Sequence, residues 1–174
     1  AVQWAREVGP DFHARFSARY RRYRYLVLTR AVRSALAAGS VCLERRPLDA
    51  PRMHEAAQCL LGERDFSAFR GAGCQSRTPM RRLDRIAVSR AGELLTIEVE
   101  ANAFLLHMVR NIAGSLLAIG TGERPPQWLA GVLESRDRTL AGATAPAQGL
   151  YLVDVGYDAQ LGLPRAPAGP WFAC

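Results

Sequence analysis

A long apolar segment in the second half of the chain, residues 103–119, most constrains how it can fold. It reads AFLLHMVRNIAGSLLAI and stops at Gly120, which predicts a helix that is apolar on almost every side and therefore buried. No apolar run in the chain reaches the length that a bilayer requires. The arginine inside the segment, Arg110, is costly to bury unless it is paired or reaches water. Two interpretations stay open: its side chain extends to the surface, which is the commoner outcome, or it lines a cleft and binds a carboxylate or phosphate.

The rest of the chain predicts an α+β domain with a largely antiparallel sheet flanked by helices. Residues 94–101 alternate apolar and polar side chains, as a strand with one buried face does, and they form a hairpin with residues 83–89. Residues 16–28 (FSARYRRYRYLVL) predict a strand with a charged first half and a buried, apolar second half. The other expected elements are an extended piece at 41–43, a helix between Asp49 and Gly62, a loop at 63–78, a helix at 125–134 and a strand at 150–157.

Positive charge is concentrated in two parts of the chain. All 23 basic residues are arginine, and the formal net charge is +7. Residues 1–46 contain ten arginines and three acidic residues, and residues 64–90 contain seven arginines and two acidic residues. Such clusters are typical of proteins that bind a polyanion, because a guanidinium can donate two hydrogen bonds to one phosphate. The alternative is a merely solvated arginine-rich surface, and the clustering favours nucleic acid.

The sequence contains none of the common catalytic or metal-binding motifs. The four cysteines lie far apart with no CxxC pair, which argues against a zinc site and a disulfide framework and favours a reducing, cytoplasmic location. No Ser-His-Asp or Cys-His set, HExxH motif, Walker loop or dinucleotide fingerprint is evident. The residues alone therefore reveal no nucleophile.

Two segments carry residues suited to RNA. Tyr23 lies in the sequence RRYRY, and an aromatic ring between arginines can stack on a base while the arginines hold phosphates. The alternative is an ordinary strand tyrosine with its ring in the core. Residues 71–78 (GAGCQSRT) predict a loop that either binds a phosphate backbone through its amides or is an ordinary surface loop. His107, close to Arg110 in the apolar segment, is more often structural than catalytic.

Several short stretches, taken in order, resemble one known family. From about residue 11 to residue 170 they occur in the order of the C-terminal half of the bacterial tRNA pseudouridine synthase A family. The stretches are FHARFSA (12–18), RRYRY (21–25), PLD (47–49), MHEAA (53–57), LLGERDF (60–66), CQSRTP (74–79), ANAF (101–104), HMVRNI (107–112), DRT (137–139) and GLYLV (149–153).

The resemblance implies a fold and an activity. The fold is the C-terminal half of the two-half pseudouridine synthase fold. The activity is conversion of uridine to pseudouridine at positions 38, 39 and 40 of the tRNA anticodon stem-loop, without metal or cofactor, by a homodimer. An aspartate attacks the nucleoside, and the uracil detaches, rotates and rejoins the ribose through carbon. The target base is flipped out of its stack, because the reacting atoms cannot be reached otherwise.

The resemblance also implies roles for individual residues. Tyr23 matches the tyrosine that packs against the target base, Arg110 matches the arginine that pairs with the catalytic aspartate, and Leu150 matches an apolar residue of the uracil pocket. Two further segments match tRNA-contacting segments, of which the first assists base flipping. They are Phe12, His13, Ala14, Arg15 and Phe16, and then Gly73, Cys74, Gln75, Ser76 and Arg77.

The sequence departs from the family in one important respect, because the Arg-Thr-Asp-Ala-Gly motif that holds the nucleophile is absent. The nearest string, RTLAG at 138–142, has leucine in place of the aspartate. We therefore expect a truncated chain that binds tRNA but is inactive alone. Its parts would be a linker at 1–15, a domain at 16–160 and an extended tail rich in proline and glycine at 161–174.

Two other hypotheses remain, and one structural expectation accompanies the first. The chain could be a non-catalytic RNA-binding module or, less in keeping with the arginine clusters, a structural dimerisation domain. Arg110 distinguishes them, because an RNA platform needs no arginine buried in an apolar helix. If the chain is half of a larger fold, we expect the strand at 20–28 to be an uncovered sheet edge through which copies associate.

Overall fold

A computed structural model of the chain describes residue 2 and residues 4–164. The tail predicted for residues 161–174 therefore lies largely outside the described residues. Within them the chain forms strands β1 (Tyr20–Thr29), β2 (Cys42–Glu44), β3 (Gly62–Asp65), β4 (Met80–Ala91), β5 (Leu94–Ala101) and β6 (Leu150–Gly156). The α-helices of the same part are α1 (Ala50–Ala57), α2 (Met108–Gly120) and α3 (Trp128–Ser135).

β1 pairs with three other strands of the sheet, β2, β5 and β6. It pairs antiparallel with β5, from Arg21 opposite Ala101 to Leu28 opposite Leu94. On its other side its first half pairs antiparallel with β6, and its last three residues pair parallel with β2. The strand order is β2-β1-β5-β4-β3, with β6 also beside β1. Four of the five pairings between described strands are antiparallel, so the predicted α+β fold with a largely antiparallel sheet is confirmed.

The expectation that this strand forms an uncovered sheet edge is wrong, because β1 has neighbours on both sides. The charged first half that the sequence predicts for this strand is accommodated inside the sheet. Two of its arginines form ion pairs with β5, Arg22 with Glu100 and Arg24 with Glu98, each at 2.7 Å. Cross-strand pairs of opposite charge allow arginine in a central strand, and nothing in the strand's own residues reveals such partners.

The helices cover one face of the sheet and form the core with it. Leu95, Ile97 and Val99 of β5 are fully buried, in one hydrophobic cluster with Met53 of α1 and Ile112 of α2. The alternation predicted for β5 is therefore confirmed. The opposite face carries the ion pairs just described. No helix within residues 4–164 is long and apolar enough to cross a membrane.

The first helix begins where the sequence predicts. The Asp49 side chain accepts a hydrogen bond from the Arg52 backbone N–H at 2.9 Å, and Pro51 lies in the first turn, where it costs no helical hydrogen bond. The helix is shorter than expected, because it ends at Ala57 and a 3₁₀ turn follows before Gly62.

Two other predicted boundaries are displaced. The apolar helix begins at Met108 and not at residue 103, because His107 adopts a left-handed backbone conformation (φ 59°) that separates residues 102–106 from the helix. The predicted loop at 63–78 contains β3, which pairs with the first residues of β4. β4 consequently starts at Met80, three residues earlier than predicted.

Candidate functional site

An open cleft of about 870 Å³ lies where β1, the loop at 73–76 and the first turn of α2 meet. Four arginines line it, and the cleft has no aspartate or glutamate among the residues that form its wall. Charge of one sign in a concave site attracts a ligand of the opposite sign. The residues that form the wall are Arg15, Phe16, Ala18, Arg21, Tyr23, Gly73, Cys74, Gln75, Ser76, Arg81, 102–110, Ala147 and Leu150.

The fold brings together nine of the residues predicted from the sequence, drawn from five separate segments. These are Arg15, Phe16, Tyr23, Gly73, Cys74, Gln75, Ser76, Arg110 and Leu150. Four others do not line the cleft, namely Phe12, His13, Ala14 and Arg77. The fold therefore places these nine residues around one cleft.

The segment before the cleft shapes the turn that carries Arg15. His13 Nδ1 accepts hydrogen bonds from the backbone N–H groups of Arg15 (3.1 Å) and Phe16 (3.3 Å). The Phe12 ring packs against Tyr157, whose hydroxyl donates to the Ala14 carbonyl at 2.8 Å. Phe12, His13 and Ala14 therefore hold the turn against β6 and its following residues.

Tyr23 is half-buried between the core and the cleft. Its ring meets Phe104 edge to face, with 4.9 Å between centroids and 83° between planes. Burial raises the pKa of the Tyr23 phenol, and nearby Arg21 only partly opposes this, so the hydroxyl stays protonated at neutral pH. Within residues 4–164 the hydroxyl has no hydrogen-bond partner. Both interpretations of Tyr23 drawn from the sequence therefore apply in part. Its ring packs against the core, and it also borders the cleft.

Arg110 lies in the first turn of α2 and is half-buried at the cleft wall. Its Nε donates to the Ala145 carbonyl at 2.7 Å, and the Ala145 N–H donates to the Arg110 carbonyl at 3.1 Å. No carboxylate of the described residues is within ion-pairing distance of Arg110. One edge of the guanidinium is therefore anchored, and the other is available to an anion in the cleft.

A buried polar network supports the segment that holds Arg110. Asn111 is fully buried; its Nδ2 donates to the Phe69 carbonyl (2.8 Å), and its Oδ1 accepts from Thr144 Oγ1 (2.7 Å) and Arg138 (3.1 Å). Sequence reasoning missed this residue, although an amide inside an apolar helix is as costly to bury unpaired as an arginine. The network fixes residues 142–145 against α2.

Close backbone packing brings the same segment still nearer to α2. A Cβ atom on Gly114 would lie 1.8 Å from the Ala143 carbonyl oxygen. Only glycine permits this approach. The approach places Ala145 beside Arg110, which lies one helical turn before Gly114 in α2.

The sequence identifies Arg21 and Arg81 only as members of the basic clusters, because their place in the cleft depends on contacts between distant segments. Arg21 lines the cleft and donates to the Asn102 carbonyl at 2.9 Å. Arg81 is 8% exposed, and burial lowers the pKa of its guanidinium. Its Nε has no partner within residues 4–164, and another nitrogen donates to Ser76 Oγ. Both arginines add positive charge to the floor of the cleft.

Cys74 is the cysteine of the cleft wall. Desolvation, the largest single influence, raises the pKa of its thiol, but N–H groups of Leu106 and Ser76 and the Arg70 guanidinium together bring that pKa below its usual value. Arg70 also donates to the carbonyls of Cys74 (2.6 Å) and Ser76 (2.8 Å), which fixes the loop. No three His, Cys, Asp or Glu side chains in the described ranges are placed to bind a metal ion.

Iodoacetamide is expected to modify Cys74 at least about tenfold faster than Cys42 and Cys59 at neutral pH. Burial raises the pKa of the Cys42 and Cys59 thiols, so less thiolate is present at either position. Mass spectrometry of proteolytic peptides over a time course measures the three rates. In the urea-unfolded chain the rates should converge. Faster modification of Cys59 in the folded chain would contradict the assigned environment of Cys74.

Comparison with known proteins identifies the family. A family model described as tRNA pseudouridine synthase matches residues 56–158, more than half of the chain. The chain belongs to the tRNA pseudouridine synthase family. The match includes the cleft loop, α2 and β6, so the resemblance inferred from short motifs is confirmed. The fold agrees with that of a pseudouridine synthase domain.

Several curated tRNA pseudouridine synthases are similar to this chain over nearly its whole length. The protein named tRNA pseudouridine synthase A from Tolumonas auensis is 54% identical over 173 residues, which are 99% of this chain and 66% of that protein. Proteins of the same name from Vibrio campbellii and Cronobacter sakazakii are each 54% identical over 172 residues, covering 65% and 64% of their lengths. The chain therefore spans slightly less than two thirds of the length of these relatives.

Proposed function

We propose that the protein containing this chain converts uridine to pseudouridine in the anticodon stem-loop of tRNA, and that the chain supplies one wall of the active site. One observation carries the proposal: the cleft has four arginines and no carboxylate in its wall, and one of these, Arg110, is anchored on a single edge only. Such a cleft suits a polyanionic substrate together with one carboxylate from elsewhere in the protein.

The proposed chemistry needs an aspartate that the chain's own cleft does not supply. The aspartate attacks the nucleoside, and the bond between ribose and the uracil nitrogen breaks. The uracil rotates and rejoins the ribose through carbon, which releases the aspartate. The proton on that carbon leaves and the freed nitrogen gains one, so the product is an isomer of the substrate. Arg110 would pair with the carboxylate and hold it for attack. Tyr23 and Leu150 would contact the uracil, because both border the same cleft and offer it apolar surface.

The tRNA would be held by the arginines and the two loops beside the cleft. Arg15 stands on the turn before β1, where it would support a flipped base, and the loop at 73–76, which borders the cleft, would contact the phosphate backbone. Arg77 continues this loop outside the cleft wall. We include in the proposal a homodimer and a cytoplasmic location, which the family resemblance and the spacing of the cysteines favour.

The 174-residue chain is expected to bind an anticodon stem-loop RNA and to leave its uridines unmodified. Affinity should fall steeply between about 50 and 200 mM salt, because each phosphate contact releases counterions. Fluorescence anisotropy across a salt series measures the binding, and reverse-transcription mapping measures pseudouridine. The full-length relative from Vibrio campbellii serves as the positive control for mapping.

Two outcomes would contradict the proposal in different ways. Pseudouridine formed by the chain alone would show that the nucleophile has been misassigned. Failure to bind RNA at low salt would remove the role given to the cleft. The competing hypothesis, a non-catalytic RNA-binding module, predicts the same binding but no effect of Arg110 on the activity of the longer protein.

A further inference from the structure

A second concave surface lies on the other side of the cleft loop, and we propose that it binds one more phosphate of the RNA backbone. This proposal rests on the function proposed above. The surface encloses about 560 Å³ and is lined by Ser67, Arg70, residues 71–74 and residues 136–138. Gly73 and Cys74 also border the main cleft, so the loop at 71–74 separates the two sites. A strand held in the cleft can therefore continue over this loop.

Positive charge dominates the second site. Arg70, Arg136 and Arg138 line it, and Asp137 is the acidic residue of its wall. The Asp137 carboxylate accepts hydrogen bonds from the Thr139 N–H (2.8 Å) and hydroxyl (2.7 Å), which lower the pKa of Asp137. This carboxylate therefore stays ionised and contributes one negative charge to a wall that carries three arginines, so the site keeps an excess of positive charge.

Two of the three guanidiniums are held in place by the protein. Arg70 donates from one nitrogen to the carbonyls of Cys74 and Ser76, and Arg138 donates from one nitrogen to Asn111 and Thr144. Within residues 4–164 the other nitrogens of Arg138 have no partner, whereas Arg70 also hydrogen-bonds the Cys74 side chain. A guanidinium fixed along one edge loses little conformational entropy when its other edge binds an anion.

The loop contributes backbone donors as well. The turn at 71–74 is closed by the Cys74 N–H, which donates to the Gly71 carbonyl at 3.3 Å, and Gly73 has a positive φ of 78°. The Gly71 N–H donates to the Leu106 carbonyl at 2.7 Å, whereas the N–H groups of Ala72 and Gly73 have no partner among the described residues. Free N–H groups in a turn beside cationic side chains form the kind of concavity that binds phosphate.

Arg136 occupies a backbone position that arginine disfavours. It terminates α3 with φ 56° and ψ 14°, the left-handed conformation in which glycine is usual. Its ion pair with Asp65 spans 3.4 Å, and its side chain is 69% exposed, so that pair contributes little to stability. A strained non-glycine residue with its charge at a cationic cavity indicates that the side chain serves a ligand.

The test compares single-charge variants of the 174-residue chain. Arg136→Gln should weaken binding of the anticodon stem-loop RNA about threefold to tenfold and make the salt dependence shallower by roughly 0.7 to 0.9 in log–log slope. Arg90→Gln is the matched control, because Arg90 is exposed at the far end of β4 and lines neither site. It should keep the wild-type slope. Arg136→Gly should melt at or above the wild-type temperature, since glycine relieves the strain.

Amide NMR shifts separate the possible results. RNA should shift the Ala72 amide, which borders the second site and not the cleft, in the wild-type chain and not in Arg136→Gln. If cleft amides such as that of Asn102 respond to RNA while Ala72 does not, the second site is wrong and the proposed function stands. If no amide of either site responds, both fail.

Three other results would also overturn the second site. An equal loss of affinity in Arg90→Gln would show a general charge effect. A lower melting temperature for Arg136→Gly with unchanged RNA affinity would show that Arg136 acts only through its ion pair with Asp65 and not through RNA. If inorganic phosphate shifts the amide signals of Ala72 and Gly73 at a lower concentration than RNA does, the surface is a site for the free anion.

Discussion

In a full-length protein with the proposed activity, replacing Arg110 with methionine is expected to lower turnover at least about 100-fold while tRNA affinity changes little. Removing one partner of a buried ion pair costs about 3–5 kcal/mol, because the remaining charge stays desolvated and unpaired. A barrier raised by that amount slows the reaction by about two to four orders of magnitude. Methionine keeps the apolar stem of the side chain and removes the charge. Single-turnover assays with saturating enzyme measure the chemical step, and filter binding measures affinity.

Arg110→Lys and Arg90→Met are the controls for this prediction. Lysine retains the charge but not the planar fork, so it should restore only part of the turnover. Arg90→Met removes a charge far from the cleft and should be close to wild type. The melting temperature of Arg110→Met reports the separate loss of the hydrogen bond to the Ala145 carbonyl. Turnover near the wild-type value would mean that Arg110 serves only that structural contact.

Gly114→Ala is expected to destabilise the 174-residue chain by about 2 kcal/mol or more. The added Cβ would lie 1.8 Å from the Ala143 carbonyl oxygen, and a backbone atom cannot turn aside as a flexible side chain does. The clash should outweigh the gain of up to about 1 kcal/mol that alanine brings to a helix. At this size of domain the melting temperature should fall by about 4–8 °C. Thermal and urea unfolding followed by circular dichroism measure both quantities.

Gly131→Ala is the matched control, because Gly131 also lies inside a helix but a Cβ atom added there would have no neighbour within 4 Å. It should stabilise the chain by roughly 0.5–1 kcal/mol through the lower backbone entropy of the unfolded state. If Gly114→Ala raised the melting temperature as Gly131→Ala should, the close approach of residues 142–145 to α2 would be disproved.

The parts of the fold that were predictable are those whose signal is local. The alternation of residues 94–101 and the Asp49 cap depend on neighbours in the sequence, and both are found as predicted. β3 was missed because its residues, GERD, are polar, and it is a strand only through its pairing with β4. The start of α2 was predicted five residues too early. An apolar composition predicts that a segment is buried, but it does not reveal that His107 adopts the left-handed conformation that precedes the helix.

The candidate site was predictable only as a set of residues and not as an arrangement. Motif resemblance selected Tyr23, Arg110 and Leu150, which the fold places around one cleft. It did not distinguish Arg21, which lines that cleft, from Arg22, which pairs with Glu100 on the opposite face. That difference follows from which face of β1 the helices cover, and no residue within the strand specifies it.

The central position of β1 also affects how the chain acquires its fold during synthesis. Its long partner β5 begins at Leu94, and β6 begins only at Leu150. A ribosome adding about 5–20 residues per second needs several seconds to make the segment between Thr29 and Leu94. For that time the apolar end of β1 has only the short β2 to pair with, a state prone to aggregation. Arg21, Arg22 and Arg24 lie directly before it and would act as charged gatekeepers that keep nascent chains apart.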